Sequence, residues 1–200
     1  MSLFRSDETW VKYGRHRKTK VLRRAGDEWD PTCVEEKIQR KKGLTFLGSF
    51  WGPIRGRAFL WEQDWGTING KSYREKTVPV IAQYPADIGG LKGEDNELFF
   101  MQDNAPGHSA KETKELFYQF AVIVVNWPPY SPDLNPIETV WKYMKNYLED
   151  KYGDCAFGSY DIQRRYVLEA WEAVATPGFL MELLESKPNR MKAVIKARVS

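Results

Sequence analysis

The chain has 200 residues, of which 42% are hydrophobic and 28% are charged, and its formal net charge is +3. These fractions are ordinary for a globular protein, and the length fits one domain over residues 1–200 with a sizeable core. No apolar run approaches a membrane span and no signal peptide follows Met1, so we expect no membrane association. Cys33 and Cys155 lack the CxxC spacing of a zinc site and indicate a reducing compartment.

Positive charge is concentrated in the first part of the chain. Residues 1–60 hold 14 Lys and Arg residues against 7 Asp and Glu residues, whereas the remainder is acidic. A basic front half suits a polyanionic partner such as DNA, although a solvated charged face has the same composition.

The first predicted element is a strand that ends near Asp7. Adjacent strand residues point to opposite faces, so only one of Asp7 and Glu8 can face a given site. Residues 10–24 predict a basic hairpin bent at Gly14, and residues 37–43 predict a second basic loop. We expect phosphate contacts from these segments, with a solvated surface as the equal alternative. Their basic residues are Arg15, Arg17, Lys18, Lys20, Arg23, Arg24, Lys37, Arg40, Lys41 and Lys42.

Two aromatic-rich strands follow, over residues 44–51 and 58–61, and we expect them to extend the sheet as antiparallel strands. Residues 70–84 predict a weaker helical segment that Pro79 kinks or ends. Residues 89–96 predict a polar loop.

The next strand ends at a candidate catalytic residue. Residues 98–101 are an unbroken apolar run with Asp103 just beyond it, as expected of a buried parallel strand that ends at a loop. Open α/β sheets place their chemistry at the carboxyl ends of strands. Beside it, Asn104 and His108 are candidates for a supporting role: a histidine can orient a ligand, contact a phosphate or stabilise a turn.

A helix, a strand and a proline-rich loop come after this site. Ser109 and Glu112 predict a capping box at the helix start. The predicted apolar face of this helix contains Leu116, Phe117, Phe120 and Ala121. Residues 122–125 predict a second buried strand, and the prolines between residues 127 and 136 predict a loop of fixed shape in which Asp133 is a turn or cap residue.

A second acidic candidate, Glu138, opens the following helix. Pro136 suits the first helical position. The predicted buried face contains Ile137, Val140, Trp141, Met144 and Leu148. The run Asn135-Pro-Ile-Glu138 is also close to a capping box, so Glu138 has a purely structural alternative. Gly153 is a plausible C-cap, and two further helices are predicted over residues 162–174 and 179–184.

This order of elements predicts a mixed sheet covered by helices, an α/β or α+β fold. Three blocks then resemble the catalytic blocks of the Tc/mariner group of DDE transposases. They are SDET at 6–9, QDNAPGH at 102–108 and SPDLNPIE at 131–138. The 34 residues between Asp103 and Glu138 match the group's glutamate-bearing branch. The resemblance spans nearly the whole chain and implies an α/β fold of the ribonuclease-H-like type. In the family a longer first strand and two helix-turn-helix DNA-binding units come earlier, and we expect this chain to lack them.

The resemblance implies that Asp7, Asp103 and Glu138 are the catalytic acids, and it selects Asp7 over Glu8. Phosphodiester cleavage needs charge stabilisation on both the attacking and the leaving oxygen, which two ions about 3.5–4 Å apart provide. Magnesium prefers oxygen ligands, and manganese serves in the family as well. We hypothesise that Asp7 and Asp103 hold two Mg²⁺ or Mn²⁺ ions, that Asp7 bridges both, and that Glu138 completes one coordination sphere.

The implied reaction is cleavage at transposon ends, followed by attack of the freed 3′-hydroxyl on a TA dinucleotide of target DNA. The resemblance also implies a homodimer, and the basic clusters favour the nucleus. Two alternatives remain open. One is a ribonuclease-H-like nuclease for hybrid nucleic acid, and the other is a domesticated or degenerate remnant that binds DNA or a partner without catalysis.

Overall fold

The computed structural model describes residues 3–12, 43–87, 98–129, 131–153 and 159–192, with the backbone alone at 85–87, 98 and 133. The basic residues from Arg15 to Lys42 that we expect to contact phosphate lie outside these ranges. Cys33, Cys155 and the predicted loop at 89–96 also lie outside them, as does the Asp133 side chain. The predictions at these positions stay predictions.

Six strands of the described chain form one mixed sheet. They are β1 Leu3–Lys12, β2 Gly43–Trp51, β3 Ile54–Arg55, β4 Phe59–Leu60, β5 Leu98–Met101 and β6 Val122–Val124. The order is β3-β2-β1-β5-β6, and β4 also pairs with β2. Strand β2 pairs antiparallel with β1, β3 and β4, whereas β5 pairs parallel with β1 and β6. The prediction that the aromatic-rich strands extend the sheet is therefore confirmed.

The predicted end of the first strand near Asp7 is wrong. Strand β1 continues to Lys12, because its ladder with β2 is unbroken from Phe4 opposite Trp51 to Lys12 opposite Gly43. The first residues of the predicted hairpin thus belong to β1. Asp7 lies in the middle of this strand and stands opposite Gly48 of β2.

Seven named helices lie within the described ranges, and residues 187–192 are helical as well. The seven are α1 Gly70–Lys76, α2 Val78–Asp87, α3 Pro106–Ser109, α4 Lys111–Gln119, α5 Ile137–Tyr152, α6 Tyr160–Val174 and α7 Pro177–Glu185. The predicted helical segment at 70–84 is two helices, and Pro79 stands in the first turn of α2, where a missing N–H is tolerated. None of the helices that the structure describes is both long and apolar enough to cross a membrane.

The predicted capping box at Ser109 is wrong. Ser109 is the last residue of α3, and its hydroxyl donates to the carbonyl oxygen of Ala105. Helix α4 begins one residue after Ala110, which has no capping side chain. The helix ends at Gln119, and Ala121 has a φ of 57°. Phe120 and Ala121 therefore lie beyond the helix, and the prediction that they belong to its apolar face is wrong.

Helices cover both faces of the sheet, and each face has its own core. Val11 of β1 packs with Phe46, α5, α6 and α7 on one face. Phe4 of β1 packs with Phe100, α1, α2 and α4 on the other. Because side chains alternate along a strand, Asp7 shares the face of Val11, whereas Glu8 shares the face of Phe4. The two adjacent acids therefore lie on opposite faces of the sheet.

Gly48 of β2 leaves room for the side chain of Trp141. A Cβ at position 48 would lie 2.6 Å from the Trp141 ring and 3.2 Å from the Trp171 ring. Trp141 is buried and packs edge-on against Phe46, with ring centroids 5.7 Å apart. The missing side chain lets α5 approach β1 at the level of Asp7.

Candidate active site

The three predicted acids line one cleft. Asp7 comes from the middle of β1, Asp103 follows the end of β5, and Glu138 lies in the first turn of α5. The cleft has a volume of about 500 Å³. Its other lining residues are Asn104, Ala105, Pro106, Trp127, Pro128, Pro129, Ser131, Pro132 and Asn135. Its walls are thus the loop after β5 and the proline-rich loop before α5.

Strand register brings Asp7 and Asp103 to the same level. In the parallel pairing of β1 with β5, Arg5 stands opposite Met101, the last residue of β5. Two residues further along each chain are Asp7 and Asp103. Trp141 Nε1 donates to Asp7 Oδ2 at 3.2 Å, and this contact ties the first turns of α5, and with them Glu138, to β1.

Asp7 is an acid in an unfavourable environment for negative charge. Burial raises its pKa most, and the charges of Glu8 and Glu138 raise it further, to about 8. Hydrogen bonds from the Glu8 backbone N–H and from Trp141 lower the pKa and only partly offset these effects. A half-buried carboxylate beside two like charges is stabilised by a cation, so this part of the cleft fits a divalent ion.

Ionisation of Asp7 is expected to destabilise the cation-free protein. Its pKa is about 8 when folded, against 3.8 as the ordinary value. As the pH rises from about 4 to 8, the unfolded chain releases this proton and the folded chain keeps it, so stability falls across this window. We expect Asp7→Asn to raise the Tm in EDTA at pH 8 by several degrees, since 1 kcal/mol is about 2–4 °C at this chain length.

The gain should shrink towards pH 4 and should also shrink when Mn²⁺ stabilises the wild-type protein. The matched control is Glu75→Gln, which neutralises a side chain that is 55% exposed. Thermal melts of wild type, Asp7→Asn and Glu75→Gln at several pH values measure the change in Tm. An equal Tm for wild type and Asp7→Asn at pH 8 in EDTA would contradict the raised pKa of Asp7.

Asp103 is held by two donors on one oxygen. The backbone N–H of Ala105 donates to Oδ1 at 3.0 Å, and Nδ1 of His108 lies 2.5 Å from the same atom. The hydrogen bond from His108 is the main reason that the Asp103 pKa is lowered. Asp103 is thereby kept as a carboxylate, and Oδ2 is the oxygen that remains for a ligand in the cleft.

Glu138 does not cap its helix, so the structural alternative to a site role is wrong. Pro136 already has helical backbone angles and is the N-cap, so Glu138 is the second residue of α5 and not the third. Asn135 supplies the acceptor for a free backbone N–H at the helix start, since its Oδ1 accepts from the N–H of Ile137 at 3.3 Å. The exposed Glu138 side chain lines the cleft.

The two residues predicted to support the acids have different surroundings. Asn104 lines the cleft, and its Nδ2 donates to the carbonyl oxygen of Trp127 at 2.6 Å, which joins the two loops that wall the cleft. His108 is buried beneath the cleft, with Nε2 3.6 Å from Oε1 of Glu8. Its position therefore favours holding Asp103 over contacting a phosphate.

Lys145 is a candidate that the sequence reasoning missed. It follows Glu138 by seven residues on α5, so the two side chains share a helix face. Burial lowers the pKa of Lys145 most, whereas the charges of Glu138 and Asp7 raise it. A cation thus lies beside the cleft carboxylates. The seven-residue spacing from Glu138 was the signal available in the sequence.

Within the described ranges, no three His, Cys, Asp or Glu side chains stand close enough together to hold one metal ion. Asp103 Oδ1 and Asp7 Oδ2 each accept a hydrogen bond from the protein. The donor chemistry of three carboxylates still fits Mg²⁺ or Mn²⁺. Binding of one ion by all three would require the side chains to turn towards a common point.

Known proteins share the sequence that carries the three acids. A family model described as DDE superfamily endonuclease matches residues 5–156. The chain is 33% identical over 99 residues to the transposable element Tcb2 transposase of Caenorhabditis briggsae, and 35% identical over 98 residues to the transposable element Tc1 transposase of Caenorhabditis elegans. These alignments cover 50% and 49% of this chain and 34% of each relative. The match therefore spans about a third of the length of these relatives.

Solved structures share the fold. A Mos1 transposase paired-end complex with the left transposon end has a TM-score of 0.71 and 19% identity, covering 95% of this chain and 53% of that chain. A mariner Mos1 paired-end complex with Mg has a TM-score of 0.71 and 18% identity, covering 98% and 55%. The Mos1 mariner catalytic domain has a TM-score of 0.64 and 16% identity, covering 95% and 78%. This likeness confirms the predicted ribonuclease-H-like sheet flanked by helices.

Proposed function

This chain belongs to the DDE superfamily endonucleases, and from that membership we propose that it is the catalytic region of a Tc/mariner-type transposase, which cuts DNA and transfers its strands. The observation that carries the proposal is the meeting of Asp7, Asp103 and Glu138 in one cleft. These residues come from three distant parts of the sequence, and each has the oxygen ligands that a magnesium site needs.

The three acids would hold two divalent cations, Mg²⁺ or Mn²⁺. When bound, such ions lower the pKa of water and stabilise the attacking and leaving oxygens of an in-line phosphoryl displacement. Asp7 supplies a ligand on a strand that is paired on both sides. Asp103 supplies one whose other oxygen is fixed by Ala105 and His108. Glu138 supplies an exposed carboxylate on a helix that is tied to β1.

Other residues suit the handling of a polyanion. Lys145 places a positive charge beside the carboxylates, where a DNA phosphate would otherwise be repelled. Lys187 lies 5.1 Å from the centre of the Trp127 ring at the wall of the cleft. The basic residues Arg15, Arg17, Lys18, Lys20, Arg40, Lys41 and Lys42 remain proposed phosphate contacts.

The partners follow from the same proposal. The related Mos1 structures are described as paired-end, pre-cleavage and strand transfer complexes. By analogy, we expect transposon ends and a TA-containing target as the DNA partners, a homodimer as the assembly and the nucleus as the compartment.

The alternative of a remnant without catalysis has lost its main support. That alternative depended on a short first strand that would hold Asp7 poorly, whereas β1 pairs with β2 on both sides of Asp7. A plasmid assay separates the readings. We expect the purified chain to nick supercoiled DNA with Mg²⁺ or Mn²⁺ but not in EDTA, and to join a pre-cut 3′-hydroxyl end to a TA-containing target.

Two outcomes would contradict this proposal. Faster cleavage of an RNA–DNA hybrid than of duplex DNA would indicate a ribonuclease-H-like nuclease. DNA binding without nicking at any Mn²⁺ concentration, together with no Mn²⁺ binding in calorimetry, would indicate a remnant.

A further inference from the structure

Behind the cleft, a row of three side chains leads from β1 to Asp103. Glu8 follows Asp7 in β1 and points to the opposite face of the sheet. Its Oε1 lies 3.6 Å from Nε2 of His108, and Nδ1 of the same ring lies 2.5 Å from Oδ1 of Asp103. Both nitrogens of one imidazole therefore face carboxylates. The exposed fraction is 20% for the Glu8 side chain and 7% for His108.

The His108 ring is held in this orientation by its surroundings. It packs on Tyr73, with ring centroids 4.1 Å apart. The Tyr73 hydroxyl donates to Gln102 Oε1 at 2.6 Å, and Gln102 Nε2 donates to the backbone oxygen of His108 at 3.3 Å. Helix α3 is pressed onto α1, since a Cβ at Gly107 would meet the Gly70 backbone at 3.2 Å. These contacts leave the ring little freedom to turn.

We propose that Glu8, acting through His108, positions the Asp103 carboxylate for metal binding. Asp103 follows the end of β5 on irregular chain, and its side chain is 56% exposed, so little else restrains its rotation. Oδ1 of Asp103 also accepts from the Ala105 N–H, and when Asp103 is a carboxylate Nδ1 of His108 is the donor to the same atom. The negative charge of Glu8 on the far side of the ring polarises this donor towards Asp103. The hydrogen bonds therefore fall on Oδ1, and Oδ2 stays turned to the cleft.

This inference rests on the proposed function and assigns separate tasks to the two adjacent acids of the SDET block. Asp7, on one face of β1, would bind the metal directly. Glu8, on the other face, would position Asp103 through His108. Outer-shell partners of metal-ligating carboxylates typically contribute about 10–100-fold in metal affinity or activity. That range sets the size of the expected effect.

The first test is Glu8→Gln, which keeps the shape of the side chain and removes its charge. We expect the Kd for Mn²⁺, measured by electron paramagnetic resonance of the free ion, to rise about 10–100-fold and DNA nicking to fall by a similar factor. Excess Mn²⁺ should restore most of the nicking, because Asp103 itself is intact. The matched control is Glu62→Gln, which removes the charge of a similarly half-buried carboxylate that pairs with Arg164 and does not line the cleft.

The second test is a double-mutant cycle with His108→Phe, which keeps a ring against Tyr73 and removes both nitrogens. In that background, Glu8→Gln should change the Kd by less than about twofold, since its route to Asp103 is gone. Effects that multiply, or Glu8→Gln binding Mn²⁺ like Glu62→Gln, would overturn the inference. If Glu8→Gln fails to fold, His108→Phe alone decides: a weakened Kd supports the inference and a wild-type Kd overturns it.

The outcome for Asp103 separates this inference from the proposed function. If Asp103→Asn leaves DNA nicking unchanged, the proposed function fails. If Asp103→Asn abolishes nicking while Glu8→Gln behaves like its control, only the positioning role of Glu8 fails.

Discussion

Asp103→Asn is expected to reduce metal-dependent DNA nicking at least about a thousandfold, because about 4 kcal/mol of transition-state stabilisation is lost with one ligand of the cation site. The substitution is close to a pure charge deletion. An asparagine Oδ1 can still accept from the Ala105 N–H and from Nδ1 of His108, so the local structure should persist. What disappears is the negative charge of a carboxylate that lines the cleft.

Plasmid nicking rates at saturating Mn²⁺ measure this effect, and thermal melts confirm that the variant is folded. The matched control is Asp161→Asn in the first turn of α6, an exposed aspartate that does not line the cleft. It should nick DNA at the wild-type rate. Nicking by Asp103→Asn within tenfold of wild type would exclude Asp103 as a metal ligand.

Trp141→Ala is expected to lower the free energy of unfolding by about 3–5 kcal/mol, the usual cost of removing a large buried aromatic side chain. Trp141 is 2% exposed and packs against Phe46 and Trp171. Its Nε1 also donates to Asp7, so Trp141→Ala removes a hydrogen bond from the candidate site as well. Urea denaturation measures the loss, with Tyr118→Ala, at a side chain that is 80% exposed, as the matched control.

Trp141→Phe separates the two roles of this residue. The phenyl ring keeps most of the buried contact, so stability should fall by less than in Trp141→Ala, whereas the hydrogen bond to Asp7 is lost in both variants. We expect Trp141→Phe to nick DNA more slowly than wild type even at temperatures where both proteins are fully folded. A loss below about 1 kcal/mol for Trp141→Ala would contradict the packing that joins α5 to β1.

Asp103 and Glu138 could be placed from the sequence because each adjoins a local signal. Asp103 follows an unbroken apolar run, and Glu138 follows a proline at a helix start. Both signals act over a few residues and survive in the structure. The alternation of strands and helices is also local, so the mixed sheet flanked by helices followed from it together with the resemblance.

The features that the sequence did not predict depend on distant partners. The continuation of β1 beyond Asp7 depends on its ladder with β2, and the level of Asp7 depends on its register with β5. The capping box at Glu138 failed for a local reason: Pro136 adopts helical angles, so Glu138 is the second residue of α5 and not the third. The predicted C-cap at Gly153 is confirmed. The contact of Glu8 with His108 joins residues a hundred positions apart and has no periodic signature.

The central claim is that Asp7, Asp103 and Glu138 jointly bind divalent cations. Anomalous diffraction from crystals grown with Mn²⁺ tests it most directly. We expect two manganese peaks about 3.5–4 Å apart in the cleft, with carboxylate oxygens of all three residues as ligands. Manganese bound elsewhere, or a cleft without manganese at millimolar concentrations of the ion, would contradict the account.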